Sequence, residues 1–537
     1  MKTLEKTANK SIDKQLNTEN DSNISLEDLC KLQAQQIEEL TAKLNWYEEQ
    51  FRLSQQKRFG SSSEKTNLDQ LSIFNEAEKE SRPEKEEPTI EEITYKRRKS
   101  KGLNKKSFED LPVEVIEYDL GKEEKTCPEC GSPLHKMSKE VRRELKVIPA
   151  EVKIVEHVCY VYACRQCEKN NTFTPIVQAK MPNPVLKGSF VSPSLLAYVM
   201  DRKYSEAVPL YRQEQQFKKF GIDLSRQNLA NWIIHGANNW LKFIYDRMHT
   251  YLLNEPIIHA DETVMQVLDE EGKKPTSKSY MWLYATGVYS PPIFLYEYQP
   301  SRAKKHPKEF LKGFNGFLQT DGYPGYNSVE NVTLVGCFAH ARRGFADALK
   351  ALLDDSTLAR TNAEEGIEFC NKLFKLEKEF KKENLSPEER YKQRLEKSRP
   401  VLKDFLSWLK EKEKQTLPKS SLGKAISYCL NQWDKLEAFM LDGRCEISNN
   451  RAERAIKPFV IGRKNFLFSK SPKGAQASAV VYSIIETAKA NNLNPFYYLT
   501  YLFEKLPNID PNNIEELDQL LPWSDSIPEG YKIPNKE

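Results

Sequence analysis

Three strand-like runs in close succession constrain the fold of this chain more than any other feature of its sequence. The runs EPIIHADETV, SYMWLYATGVY and PPIFLYEYQP are rich in β-branched and aromatic residues. A short charged helix is predicted at 302–312, followed by GFLQTDGYPGYN and then by VTLVGCFAHARRGFADALKALL, a strand that leads into a helix. Three consecutive strands followed by alternating helix and strand predict a mixed sheet with helices on its faces.

The size and composition of the chain indicate several domains. Its 537 residues are too many for one ordinary core, and its apolar fraction of 39% is sufficient to build more than one. The sequence has no run of about 18 apolar residues, the length that a membrane-spanning helix needs, and residues 1–22 show no signal-peptide pattern. We therefore expect a multidomain α+β protein of the cytoplasm without a membrane partner.

The N-terminal region, 1–60, carries a seam of mostly apolar positions in alternating steps of four and three. These positions are Leu26, Cys30, Gln33, Ile37, Leu40, Leu44, Tyr47 and Phe51. The spacing predicts a short coiled coil and self-association; the alternative is an amphipathic helix that packs on the protein's own body. Residues 61–110 are rich in Ser, Glu and Lys, which predicts a flexible linker with basic and acidic runs.

Two CxxC pairs occur in the segment 111–180. They are formed by Cys127, Cys130, Cys164 and Cys167, and the alternating run ELKVIPAEVKIVEHVCYVYAC lies between them. Two thiolate pairs that meet across a β-hairpin make a closed tetrahedral site, so the spacing predicts a structural zinc ion. Cys159, His135 and His157 are the alternative ligands if one of the four thiolates does not bind.

Residues 190–250 have the pattern of a helix-turn-helix. A break at Gly221 is followed by Ser225, a predicted N-cap of an amphipathic helix. Arg226, Gln227 and Asn228 then stand at the front of a recognition helix, where side chains reach base edges in DNA. The alternative is a set of three helices that only pack on one another.

Three acids are the candidate chemical groups. Asp261 and Asp321 are predicted to end strand runs, where a carboxylate either binds a divalent metal or only caps the next turn. Glu453 lies among cations in ISNNRAERAIKPFVIGRKNFLFSK, where Ser448 is a predicted N-cap. Asn449, Asn450, Glu453 and Lys457 would then share one helical stripe. A surface salt bridge is the alternative for Glu453.

The remaining segments are predicted to be helical. Residues 354–440 are rich in Lys and Glu and are typical of a helical insertion within a catalytic domain at 251–493, and 494–537 form a helical tail interrupted by proline. The net charge is only +4, but cations cluster at 95–106 and 451–474. Such local basic patches indicate a polyanionic partner.

Several motifs in one order give the chain a family resemblance. KRFGSSSEK, the paired CxxC finger, HADETVMQV, LQTDGYPGYN, CFAHARRGF and NNRAERAIKPFVIGRKNFLFS occur in that order, and together they span nearly all of it. The chain resembles the insertion-sequence 66 transposases, which are of the ribonuclease H-like, Asp-Asp-Glu type. The resemblance implies that Asp261, Asp321 and Glu453 form the catalytic triad. Many relatives have an aspartate where this chain has Ser448.

The resemblance also implies a reaction and its partners. The enzyme would bind the ends of its element and would cleave and join DNA with two Mg²⁺ ions, or Mn²⁺, without a covalent protein intermediate. It would act on end DNA and target DNA as a homo-oligomer, with accessory proteins of the same element. The side chains expected to contact DNA are Arg226, Gln227, Asn228, Arg342, Arg343, Asn450, Arg454, Arg463 and Lys464.

Two residue roles and two other functions remain as alternatives. His340 would help to hold phosphate or only pack, and the cations that follow Glu453 would bind DNA backbone or form a solvated basic face. A DNA-binding regulator would keep the finger and the helix-turn-helix on an inactive nuclease-like scaffold. A structure-selective nuclease would cut DNA but not join it, with the same three acids.

Overall fold

The computed structural model describes residues 151–163, 176–178, 180–351 and 361–533, together with the helical positions 33, 36, 37 and 40. The four CxxC cysteines, His135, the linker 61–110 and most of the coiled-coil segment lie outside the described residues. Of the predicted seam, Gln33, Ile37 and Leu40 are helical, and the side chains of Ile37 and Leu40 are exposed. The coiled coil and the zinc site therefore stay predictions.

The chain divides into two compact units. The first comprises Met1–Ser62, Pro184–Glu214 and Ser225–Tyr531, and the second Ser63–Asn183, Gln215–Leu224 and Lys532–Glu537. In the second unit, β1 (Val161–Ala163) pairs antiparallel with β2 (Ile176–Gln178). Strand β1 belongs to the run between the CxxC pairs, and it pairs with a segment that follows the second pair. Residues 151–160 have no regular secondary structure.

The helix-turn-helix segment is helical as predicted. It contains α1 (Pro193–Tyr204), α2 (Leu210–Lys219) and α3 (Arg226–Gly236), and a π-turn at Ala237–Leu241 continues into α4 (Lys242–Leu253). The Ser225 hydroxyl caps α3 by accepting the Asn228 N–H at 3.2 Å. Gly221 has φ of 76°, a left-handed conformation that glycine adopts without steric cost, so the break between α2 and α3 has a local cause.

A five-stranded mixed sheet forms the centre of the first unit. Its strands are β3 (Ile257–Gln266), β4 (Lys278–Thr286), β5 (Phe294–Gln299), β6 (Gly316–Gln319) and β7 (Val332–Val335), with α5 (Lys305–Phe310) between β5 and β6. The order across the sheet is β5-β4-β3-β6-β7. The pairs β3/β4 and β4/β5 are antiparallel, and β3/β6 and β6/β7 are parallel. The predicted mixed sheet is confirmed.

The helices that follow β7 pack together on one apolar core. They are α6 (Phe338–Lys350), α7 (Asn362–Lys382), α8 (Pro387–Gln393), α9 (Arg399–Gln415), α10 (Ser421–Asn431) and α11 (Trp433–Glu437), with a π-turn at Arg394–Ser398. Ile257 and Val335 of the sheet join Phe345, Phe405 and Leu436 of these helices in that core. The region predicted as a helical insertion is thus packed against the sheet.

Arg394 connects these helices by hydrogen bonds to the segment 438–449, which precedes the helix of Glu453. Its guanidinium is fully buried and pairs with Glu377, with Nε 2.8 Å from Oε1. It also donates to the carbonyls of Phe439, Asp442 and Cys445 at 2.6, 2.8 and 2.7 Å. A buried guanidinium needs such complete pairing, because an unpaired charge in the interior is costly. The chain between α11 and the next helix is therefore held in place.

Four further helices complete the first unit. They are α12 (Asn450–Phe466), α13 (Pro472–Ala490), α14 (Pro495–Lys505) and α15 (Ile514–Asp518). Helix α13 satisfies the free edge of β5, since Ser483 and Thr487 hydroxyls accept the N–H groups of Tyr296 and Phe294 at 2.8 and 3.0 Å. In the described part of the chain, no helix has the length and apolar character that crossing a membrane requires.

Candidate active site

Asp261 and Asp321 are brought together by parallel pairing. The β3/β6 ladder ends at His259↔Gln319, so both acids lie two residues beyond the last paired position of their strands. The prediction that Asp261 ends a strand is wrong. Strand β3 continues to Gln266 because its antiparallel pairing with β4 extends to Gln266↔Lys278. Asp261 therefore lies within β3, the longest strand of the sheet, at a position where the parallel strand β6 no longer pairs with it.

The turn after β6 fixes Asp321. Its Oδ1 accepts the N–H of Tyr323 at 3.0 Å, and its carbonyl accepts the hydroxyl of Tyr428 from α10 at 3.0 Å. Gly322 has φ of 97°, which an L side chain rarely adopts, so the sharp turn depends on glycine here. The helices of the insertion thus contribute directly to the position of Asp321.

Asn449 places the helix that carries Glu453. Its Nδ2 donates to the carbonyl of Ala260 at 2.8 Å, and its Oδ1 lies 3.1 Å from His259 Nδ1. Its side chain is therefore buried against β3 and does not share the stripe predicted for it. Ser448 is not the N-cap either. Helix α12 begins at Asn450 with Asn449 at the cap position, and no side chain caps it because the Asn449 amide is used by the strand.

The three acids act on one another electrostatically. Burial raises the pKa of Asp261 to about 8, and the negative charges of Glu262, Asp321 and Glu453 add to that rise. The N–H of Glu262, 2.8 Å from Asp261 Oδ1, opposes it. A carboxyl that holds its proton near neutral pH because of burial and neighbouring carboxylates is a group that a cation would ionise. The donor set therefore fits a divalent metal.

Cys337 and His340 lie beside Glu453, at the first turn of α6. One donor atom from each of the three residues lies within 4.8 Å of the other two. His340 Nδ1 is 3.6 Å from Glu453 Oε1, and neither atom has a hydrogen-bond partner among the described residues. Burial raises the pKa of the Cys337 thiol to about 11 and lowers the pKa of His340.

Glu262 is an additional acid that the sequence interpretation did not single out. Its carboxylate accepts the Tyr326 hydroxyl at 2.6 Å and Arg302 Nε at 2.7 Å. The Arg302 guanidinium lies 3.8 Å from the ring centroid of Tyr323. Burial raises the pKa of Glu262, while Tyr326 and Arg302 oppose the rise. Alternation along β3 directs Glu262 to the face opposite Asp261, and its position next to Asp261 in HADET was the available signal.

The cations predicted to contact DNA occupy different surroundings. Arg343 Nη2 lies 3.5 Å from Glu453 Oε2, whereas Arg342 Nε donates to Asn371 Oδ1 of α7 at 2.7 Å. On α12, Arg454 and Lys464 are exposed, while Arg463 and Asn450 are half-buried. Arg226, Gln227 and Asn228 are all exposed on the first turn of α3. The structure thus brings Arg343 to the acids and directs Arg342 to the insertion.

Comparison with known proteins identifies the class. A profile described as the IS66 family transposase matches residues 188–477, and the IS66 C-terminal element matches 483–523. The zinc-finger binding domain of transposase IS66 matches 124–168, and a profile described as transposase C of IS166 homeodomain matches 46–116. These are domains of DNA-binding transposases. The chain belongs to the IS66 transposase family.

Similar proteins occur in Sinorhizobium fredii (strain NBRC 101917 / NGR234). The uncharacterized protein y4jD is 31% identical over 433 residues, which cover 77% of this chain and 81% of the relative. The uncharacterized protein y4hP is 32% identical over 418 residues, covering 74% of this chain and 73% of the relative. Both alignments extend well beyond any single domain, which agrees with the family assignment.

Proposed function

We propose that this chain binds the ends of its insertion sequence and catalyses divalent-metal-dependent DNA cleavage and strand transfer. The observation that carries the proposal is the electrostatic effect that Asp321, on the turn after β6, and Glu453, on the first turn of α12, have on the buried Asp261 of β3. Burial and the repulsion between these acids raise the pKa of Asp261 to about 8. A surface salt bridge of Glu453 would not by itself account for the effect of its charge on the pKa of Asp261.

The sheet supports a ribonuclease H-like catalytic domain. Three antiparallel strands followed by two parallel ones, in the order β5-β4-β3-β6-β7, place the first strand at the centre. The first acid stands on that central strand and the second follows its parallel neighbour. Helix α12 then supplies the third. We therefore assign 251–493 as the catalytic domain and 354–440 as its helical insertion.

Asp261, Asp321 and Glu453 would hold two Mg²⁺ ions, or Mn²⁺. When bound, such ions activate the attacking oxygen and stabilise the leaving oxygen of a phosphodiester. The chain's own residues provide the positioning. Asn449 fixes the start of α12 on β3, Tyr428 fixes the turn of Asp321, and Arg343 holds one carboxylate oxygen of Glu453. Asp261 would release its proton to solvent as the site becomes ionised.

Polar groups on three helices would bind DNA. Arg226, Gln227 and Asn228 stand at the free start of α3, where they can reach base edges. On α12 and α6, Asn450, Arg454, Arg463, Lys464, Arg342 and Arg343 would contact backbone phosphates. The cations on α12 flank Glu453 in sequence, so the helix that supplies an acid also attracts the phosphates.

The N-terminal segments would bind zinc and mediate self-association. The finger profile covers all four of Cys127, Cys130, Cys164 and Cys167, which would bind one structural Zn²⁺. The seam within 1–60 would mediate homo-oligomerisation. The protein would act on DNA in the cytoplasm, with accessory proteins of the same element.

The test compares wild type with Glu453→Gln on DNA that carries the element's own ends. At equal DNA occupancy, the variant should lose Mg²⁺-dependent cleavage and joining by orders of magnitude while end binding persists. Glu411→Gln, an exposed glutamate of α9, is the matched control and should behave as wild type. Activity of Glu453→Gln within a few-fold of wild type would refute the role of Glu453.

The same assay separates the two other functions. A wild-type protein that binds end DNA without cutting it would be a regulator on an inactive scaffold. A wild-type protein that nicks the ends but gives no joined product would be a nuclease. Either outcome would replace the proposal of strand transfer.

A further inference from the structure

We propose that Cys337, His340 and Glu453 form a binding site for a thiophilic divalent cation of the Zn²⁺ class, and that its occupation withdraws Glu453 from the acid triad. The binding part stands on the geometry of these three residues alone. The inhibitory part rests on the function proposed above.

The donor atoms of Cys337, His340 and Glu453 lie close together. One sulfur, one imidazole nitrogen and one carboxylate oxygen lie within 4.8 Å of one another. A tetrahedral zinc ion, with bonds of about 2.0–2.3 Å, holds its donors about 3.3–3.8 Å apart. Inward movement of about 1 Å by the side chains would therefore close the site. His340 and Glu453 have side chains 25% and 26% exposed, so an ion can enter from solvent.

Two buried atoms of this cluster are not hydrogen-bonded. His340 Nδ1 and Glu453 Oε1 are buried, and within the described residues neither has a hydrogen-bond partner. Buried polar atoms are usually paired, so these two atoms need an explanation, and both an imidazole nitrogen without a proton and a carboxylate oxygen can bind a cation. Arg343 approaches the other carboxylate oxygen, Oε2, at 3.5 Å. That contact leaves Oε1 available to a cation.

The sulfur lies in a metal-binding sequence spacing. Cys337 directly precedes α6, and His340 follows three positions later, which is a CxxH spacing on one helical turn. The N–H of Asn449 donates to Cys337 Sγ at 3.2 Å, which holds the sulfur on the side of Glu453. When the ion binds, the S–H proton passes to solvent and the sulfur–metal bond replaces it.

The chemistry of the donors selects the metal. Mg²⁺ takes oxygen ligands, whereas a set of sulfur, nitrogen and oxygen favours Zn²⁺ and similar ions. Three protein ligands leave one coordination position open. Because Glu453 belongs to both donor sets, an ion bound to Cys337 and His340 competes with the use of Glu453 beside Asp261. Zinc should therefore inhibit the Mg²⁺-dependent reaction.

The binding test counts zinc in the full chain. Wild type and Cys337→Ser/His340→Ala are saturated with Zn²⁺, freed of unbound metal and analysed. Wild type should retain one equivalent more than the double variant. Cys370→Ser/His235→Ala, which alters a buried cysteine and a histidine elsewhere, is the control and should match wild type. Equal zinc in wild type and in the Cys337/His340 variant would overturn the site.

His340→Ala alone keeps the test decisive if the Cys337 change prevents folding, because this histidine is partly exposed. It should weaken the extra zinc equivalent at least tenfold, and unchanged affinity would overturn the proposal. Cobalt provides a second readout, since wild type minus variant should show tetrahedral ligand-field bands with sulfur-to-cobalt charge transfer.

An activity measurement tests the inhibitory part. Zinc added in the presence of excess Mg²⁺ should suppress wild-type cleavage, and His340→Ala should need at least tenfold more zinc for the same fractional loss. Equal sensitivity would refute inhibition through this site. An extra zinc equivalent in a wild-type chain that never cleaves DNA would instead refute the proposed function and leave the metal site intact.

Discussion

Asn449 Nδ2 donates to the carbonyl of Ala260 at 2.8 Å, and this bond joins the start of the helix of Glu453 to the residue before Asp261. Two segments 189 positions apart in sequence are thereby fixed relative to each other. The same asparagine contacts Cys337 Sγ through its N–H and His259 through its Oδ1. Its fully buried amide is therefore a positioning group for the candidate active site.

Asn449→Ala should destabilise the protein by about 1–3 kcal/mol, because it leaves the Ala260 carbonyl buried without its donor. It should also reduce Mg²⁺-dependent cleavage. Denaturant unfolding and the cleavage assay measure the two effects. Asn450→Ala, at the adjacent half-buried position, is the control for stability and should change it by less. Equal stability of the two variants would contradict the positioning role.

Asp261→Asn should stabilise the metal-free protein in a pH-dependent manner. The pKa of Asp261 rises from 3.8 to about 8 on folding, so the folded chain keeps a proton that the unfolded chain releases. Wild-type stability should therefore fall as the pH rises from about 4 to about 8 and then level off. The advantage of the variant should grow over that window to a few kcal/mol.

Denaturant unfolding at pH 5 and pH 9, without added divalent ions, checks this expectation. Asp404→Asn, an exposed aspartate of α9, provides the control and should show no such trend. A constant difference between Asp261→Asn and wild type at both pH values would show that Asp261 is ionised throughout. At pH 9, added Mg²⁺ should reduce the amount by which the unfolding free energy of wild type falls below that of Asp261→Asn.

Arg394→Met should cost about 3–5 kcal/mol of stability, because Glu377 loses a buried partner and three carbonyls lose their donor. The free energy of unfolding measures it. Arg399→Met, at an exposed position one turn along, should stay within about 0.5 kcal/mol of wild type. A small effect of Arg394→Met would mean that the segment before α12 does not depend on this ion pair.

Leu467→Gly should stabilise the protein or leave it unchanged, whereas Leu467→Ala should not stabilise it. Leu467 has φ of 67° and ψ of −53°, and the N–H of Phe468 donates to the carbonyl of Phe466 at 2.9 Å. This is a γ-turn with positive φ, which is strained for an L residue by about 1 kcal/mol or more. The side chain is exposed, so its loss costs little. A glycine variant less stable than the alanine variant would refute the strain.

Arg226→Ala/Gln227→Ala should reduce the preference for end DNA over random DNA by about 1–3 kcal/mol for each base that these side chains recognise. Both side chains are exposed at the start of α3, so folding should be unaffected. Competition binding at fixed salt measures the preference. An equal loss of affinity for both DNAs would assign these residues to phosphate binding.

Local patterns in the sequence determined the elements. The alternation of β-branched and aromatic residues predicted the strands β3, β4 and β5, and Ser225 predicted the start of α3, because these signals depend on neighbours within a few residues. The acids Asp261, Asp321 and Glu453 were also recognisable from the sequence, since their motifs are short and occur in a fixed order. The family assignment confirms the resemblance that these motifs indicated, and the roles of the three acids stay predictions.

Tertiary structure alone decided how these elements meet. Asp261 lies within a strand because β4 pairs with β3 as far as Gln266, beyond the point where β6 stops pairing, and no residue near Asp261 encodes that difference. Asn449 was predicted to share a helical stripe with Glu453 because helical periodicity is local, but its amide donates to the carbonyl of Ala260 instead. Cys337 and His340 meet Glu453 only because the starts of α6 and α12 lie together, where the Asn449 N–H donates to Cys337 Sγ. Contacts between distant segments depend on packing and on long-range hydrogen bonds, which spacing along the chain does not record.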